Sequence, residues 1–86
     1  MSEAREPLSP LDRAAIEALL RVRIVPGSPD KRFVRGLASI AVNSQDVTAK
    51  QAAHLWRLVH RFRGQIGRQR AAAPILAEAA RRRAIS

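Results

Sequence analysis

The stretch TAKQAAHLWRLVHRFRGQI, residues 48–66, decides how the rest of the chain is read. Thr48 followed three residues later by Gln51 is the capping-box arrangement, in which each side chain satisfies a backbone donor that the first helical turn leaves open. At about 100° per residue, Leu55, Val59, Phe62 and Ile66 fall within a sector of roughly 60°, with Ala52, Trp56 and Leu58 on its flanks. Lys50, His54, Arg57, Arg61 and, if the helix runs that far, Arg68 fall within roughly 60° on the opposite side. No acid stands on the segment to offset them. The expectation is a helix over 49–66 with an apolar and a cationic face. A row of arginines can be nothing more than a solvated face in an Arg-rich chain. Ordinary surface helices, however, intersperse both signs and gain i,i+4 pairs. Arg57, Arg61, Arg63, Arg68 and Arg70 instead repel one another, and a polyanion relieves that cost.

Upstream, Ser28-Pro29-Asp30 has the grammar of a helix start, with Ser as N-cap, Pro in the first position and an acid in the first turn. Phe33, Val34, Leu37, Ile40 and Ala41 continue as a buried stripe, which predicts a helix over 29–41. Lys31, Arg32 and Arg35 lie off that stripe. The short polar NSQD connector predicts that this helix and the next pack as neighbours, a central αα-hairpin.

KRFVRGL (31–37) and the 48–66 segment together resemble a pattern in short, uncharacterised phage and prophage proteins. There a KRFVR helix is followed by T-x-K-Q-A-A and then L-V-H-R-Y-R-x-Q. The resemblance covers the middle third to half of the chain. Phe62 stands where the pattern has Tyr, and Gly64 where a basic residue is common. The resemblance brings no activity with it. It implies a phage or mobile-element setting, in which small proteins handle DNA or inhibit host machinery.

Ser9-Pro10 opens a first helix with the same grammar, expected over 10–23, burying Leu11, Ala15, Leu19 and Val22 with Ile16 and Leu20 alongside. Val25-Pro26-Gly27 cannot continue it. RVRIV (21–25) alternates like a strand, but a lone strand has nothing to pair with, so a helix end and an extended loop are preferred. Residues 1–8 show no period and read as a disordered tail before a single small helical domain over 9–86. Beyond Ile66, Gly67 is a candidate helix terminator at the position that favours a left-handed backbone. Residues 68–73 read equally as continuing helix or as a hinge. Pro74 then belongs to the first turn of a fourth helix over 74–84, whose weak apolar face is Ile75, Leu76, Ala79 and Ala80. Arg81, Arg82 and Arg83 sit at its C-terminus, where they suit the helix dipole as well as they suit phosphate. The fold class is therefore all-α, a small bundle of about four helices.

With 86 residues the chain builds one modest core, and much of its hydrophobic fraction is alanine. A partner or self-association into a homo-oligomer is open to such a chain. It has no cysteine, so neither a disulfide framework nor a thiolate metal site. No apolar run approaches the roughly 20 residues that span a bilayer, and MSEAREPLSP is not a signal peptide, so a cytoplasmic setting is the default. Charge is uneven: residues 1–30 carry a net −1 and residues 31–86 a net +10. Arg outnumbers Lys 14 to 2, which suits bidentate phosphate contacts and equally reflects GC-rich coding.

No enzyme motif is present. His54 and His60 lie about 240° apart on a helix and cannot share a metal. The acids are dispersed, and no phosphate loop or nucleophile elbow occurs. Neither metal nor cofactor is expected. Trp56 reads as a core or interface anchor before it reads as a base-stacking ring. Scarce aromatics also count against a stacking platform for single strands.

The leading expectation is a non-enzymatic protein binding nucleic acid, DNA before RNA, through phosphate contacts. Lys50, His54, Arg57 and Arg61 would line one track, with Lys31, Arg32, Arg35, Arg63 and Arg68 nearby and Arg81–Arg83 as a clamp. The alternative is a protein-binding inhibitor or adapter docking on an acidic surface, such as that of a host defence nuclease or CRISPR effector. A cationic amphipathic helix on an anionic membrane is a weaker third reading.

Overall fold

The computed structural model describes residues 5–43 and 46–85. In chain order it contains β1 (Arg5–Glu6), α1 (Pro10–Leu20), α2 (Pro29–Val42), β2 (Val47–Thr48), α3 (Ala49–Arg61), α4 (Arg63–Ile66) and α5 (Ala72–Ile85). The helical bundle expected from the sequence is what the chain forms.

Each of the three expected starts is capped by the residue named for it. Ser9 accepts from the Asp12 amide at 3.0 Å while Asp12 accepts from the Ser9 amide at 3.1 Å. Ser28 accepts from the Lys31 amide, and Thr48 and Gln51 exchange reciprocal bonds of 3.1 and 2.9 Å. The core collects Ala15, Ile16 and Leu19 of α1, Val34 and Leu37 of α2, Leu55, Trp56, Leu58 and Val59 of α3, Ile66 of α4 and Ile75 and Ala79 of α5. Leu20, expected beside the apolar face of α1, is exposed.

Several expectations need correction. Residues 5–8 of the expected tail are part of the fold: Arg5 and Glu6 pair antiparallel with Thr48 and Val47, and Leu8 is buried. Residues 1–4 of that tail lie outside the described residues, as do 44–45 of the connector. The central hairpin is not formed by α2 and α3. α2 packs mainly on α1, and α3 packs mainly on α5 and α1. The connector is no tight turn, because Val47 and Thr48 are buried in extended form against β1. The first helix ends at Leu20, three residues early, since Val22 and Ile24 turn inward from the loop and the Arg23 amide donates to Gln65 Oε1.

Helix 49–66 is interrupted at Phe62, which leaves helical geometry at φ −102°, ψ 21° and divides α3 from α4. Two residues later Gly64 lowers the propensity to resume. Gly67 keeps a right-handed backbone at φ −61°. Its value is steric: a Cβ there would lie 3.2 Å from the Arg63 carbonyl oxygen and 3.6 Å from Leu76 Cδ1. The left-handed position falls instead at Ala71, φ 56°, in the turn that settles residues 68–71 as non-helical before α5.

An alanine in left-handed geometry costs about 1–2 kcal/mol relative to the right-handed region. Ala71→Gly is therefore expected to stabilise the fold by about 0.5–1 kcal/mol, after the larger unfolded-state entropy of glycine is subtracted. Gly27→Ala should do the reverse, because Gly27 has φ 79° with open space around it. Urea titration checks both. The midpoints should move in opposite directions with unchanged slopes.

Candidate functional site

Packing α5 across α3 leaves an open groove of ≈ 1190 Å³ beside the cationic face. Lys50, His54, Arg57 and His60 line it from α3, Arg82 and Arg83 from α5, and Phe33 from α2. Four fixed cations and two imidazoles thus share one concavity, and no carboxylate is among its lining residues. Lys50, His54 and Arg57 recur at i, i+4 and i+7, so the wheel that placed them on one face also places them on one wall.

The floor is fixed by Trp56. It is buried, and its indole N–H donates to Asp12 Oδ1 at 3.0 Å across the interior. Asp12 thereby serves the N-cap with one oxygen and Trp56 with the other. The Arg82 guanidinium lies over the Trp56 ring, 5.0 Å from its centroid, and donates to Glu78 at 2.9 Å. Arg81 donates to both oxygens of Glu78. Phe33 and His54 form a ring pair, centroids 4.1 Å apart and tilted 41°.

The expected site residues divide accordingly. Lys50, His54, Arg57, Arg82 and Arg83 come together in the groove. Arg61 does not. The acid missing from its own helix is supplied by α2, as Asp30 accepts from it at 3.0 Å. This pair is exposed on the Arg61 side, so it contributes at most about 1 kcal/mol and weakens with salt, yet it turns Arg61 away from the track. Arg63 folds back onto the His60 carbonyl at 2.9 Å and lines a second groove of ≈ 530 Å³. Lys31, Arg32 and Arg35 on α2 and Arg68 in the turn line neither groove. Arg81 is occupied by Glu78.

His60 and Phe33 are lining residues that the sequence reading left out. His60 sits on the flank of α3 nearest α5, and only the packing of that helix makes it part of a wall. Partial desolvation of its ring, with the Arg83 and Arg63 cations beside it, holds its pKa below the ordinary imidazole value. His60 therefore adds little positive charge to the groove at neutral pH.

Hydrogen bonds from Arg81 and Arg82 push the Glu78 carboxyl down to about 2 from the ordinary value of 4.5. A carboxyl depressed on folding stabilises the native state above its unfolded pKa and loses that contribution as pH falls toward its folded one. The Glu78 contribution is thus expected to be complete above about pH 5 and to fade toward pH 2. Glu78→Gln should melt below the parent at pH 7, with the gap narrowing below about pH 5 and closing only near pH 2. A gap in melting temperature that stays constant with pH would show that the ion pairs are not its source.

Among the described residues there is no cluster of three His, Cys, Asp or Glu side chains placed to hold a metal, and no helix is long and apolar enough to cross a membrane. Compared with protein-family models, curated proteins and solved structures, the chain matches none.

Proposed function

We propose that this is a small, non-enzymatic nucleic-acid-binding protein of phage or mobile-element character, working in the cytoplasm on DNA before RNA. Contact is led by phosphates along the groove between α3 and α5. One observation carries the reading: Lys50 and Arg57 of one helix and Arg82 and Arg83 of another, distant in sequence, meet in one concavity without a lining carboxylate. Positive charge gathered from two helices into one concavity attracts a polyanion, and a chain of phosphates supplies one negative charge per nucleotide. Arg82 is held by Glu78 and the Trp56 ring, so little side-chain freedom is lost when it meets a phosphate.

Fluorescence anisotropy of labelled oligonucleotides with the purified chain, at 50 and 200 mM salt, tests this directly. Binding at low salt that weakens steeply with added salt is the expected result. A folded protein that binds no nucleic acid even at the lower salt would overturn it and point to an acidic protein surface as the partner.

A further inference from the structure

We propose that the groove takes a single nucleic-acid strand, DNA or RNA, in preference to a duplex. This rests on the nucleic-acid reading above and narrows it to one ligand geometry.

Three aromatic residues in 86 are few for a stacking platform. The fold changes the weight of that count by concentrating them. Two of the three, Phe33 and Trp56, and both histidines lie on the lining of the same groove as the four cations. The Phe33–His54 pair offers half-buried ring surface to that space. Trp56 is floor, covered by Arg82, and the guanidinium plane above it is itself a surface on which a base stacks. Cationic track and stacking surfaces in one channel are the combination that non-specific strand binders use.

Shape argues the same way. A helix that enters duplex DNA must protrude into a major groove about 12 Å wide. Here Lys50, His54 and Arg57 stand on the wall of a concavity, with Phe33 of α2 and Ala79, Arg82 and Arg83 of α5 around them. A duplex turns its bases inward, so Phe33, Ala53 and Ala79 would have only sugar and phosphate to cover. An open strand presents phosphates and base faces together.

Size favours a polymer over a mononucleotide. The groove, at ≈ 1190 Å³, exceeds the roughly 300–1,000 Å³ of small-molecule pockets. It also continues: the second groove shares His60, Ala79 and Arg83 with the first and runs on past Arg63 and Gly64 of α4. A strand following both would pass Lys50, Arg57, Arg83 and Arg63.

The test uses the whole chain and three fluorescein-labelled 20-mers in the same buffer: oligo-dT, oligo-rU and a mixed-sequence duplex. Both strands are expected to bind about 10-fold or more tightly than the duplex, with stacking as the source of the difference. The ratio of dT to rU affinity then separates DNA from RNA as the natural strand. A duplex that binds as well as either strand overturns the inference and leaves the phosphate-led reading standing. Binding to none of the three overturns both. Phe33→Ala, checked for folding by circular dichroism, should lose about 10-fold on the strands and nothing on the duplex, with the salt slope unchanged. Trp56, the single tryptophan, gives a readout that needs no variant. Its emission should change on saturation with oligo-dT, and an unchanged spectrum would place the strand outside the groove and overturn the proposal.

Discussion

Trp56→Ala is expected to cost about 3–5 kcal/mol of folding stability, the range for truncating a large buried aromatic side chain. The indole is 3% exposed, between the core of α3 and the Arg82 guanidinium of α5, and its N–H is the buried partner of Asp12. Truncation opens a cavity under the helix pair that forms the groove and strands one carboxylate oxygen at the start of α1. A domain of this size holds only about 5–10 kcal/mol in total, so the variant should be partly unfolded at 37 °C. Trp56→Phe separates the two contributions. It keeps most of the packing and removes the donor, and an unpaired buried acceptor costs about 1–3 kcal/mol. Urea denaturation followed by circular dichroism checks both, since the native fluorophore is lost. A loss under 1 kcal/mol for the alanine variant would mean that the ring does not anchor α3 to α1.

The second large effect concerns salt. Four phosphates neutralised by Lys50, Arg57, Arg82 and Arg83 give a slope of log affinity against log salt of about −2.8 for a single strand, or about −3.6 for a duplex. Between 50 and 200 mM salt the affinity should therefore fall about 50-fold for the strand and about 150-fold for the duplex. Arg57→Gln/Arg83→Gln removes one cation from each wall and should halve the slope. Arg32→Gln/Arg35→Gln removes the same charge from α2, outside both grooves, and should leave the slope unchanged. Equal effects from the two pairs would assign binding to the diffuse +9 charge of the chain instead of to the groove.

Helix starts were the most legible part of this chain, because capping is local: a hydroxyl, a proline and a partner three residues on are enough to specify it. Ser9, Ser28 and Thr48 all cap as their neighbours dictate. Helix ends were less legible. α1 stops early because Val22 and Ile24 bury themselves from a loop, and the break at Phe62 follows no proline. The turn before α5 places its left-handed residue at Ala71 and not at a glycine, a choice made by the path between α4 and α5.

For the site, the periodicity of residues 48–66 by itself determined that Lys50, His54 and Arg57 share a face, since 3.6 residues per turn leaves them nowhere else to go. It also determined that Leu55, Val59 and Ile66 face inward, and all three are buried. Only the tertiary structure decided what stands opposite. Asp30 takes Arg61 out of the row from another helix, Glu78 occupies Arg81, and α5 brings Arg82 and Arg83 across to complete a wall with His60. Charges on one helix are fixed by the turn of the backbone, whereas their neighbours across space depend on which apolar faces meet, and that is settled by the packing of the whole core.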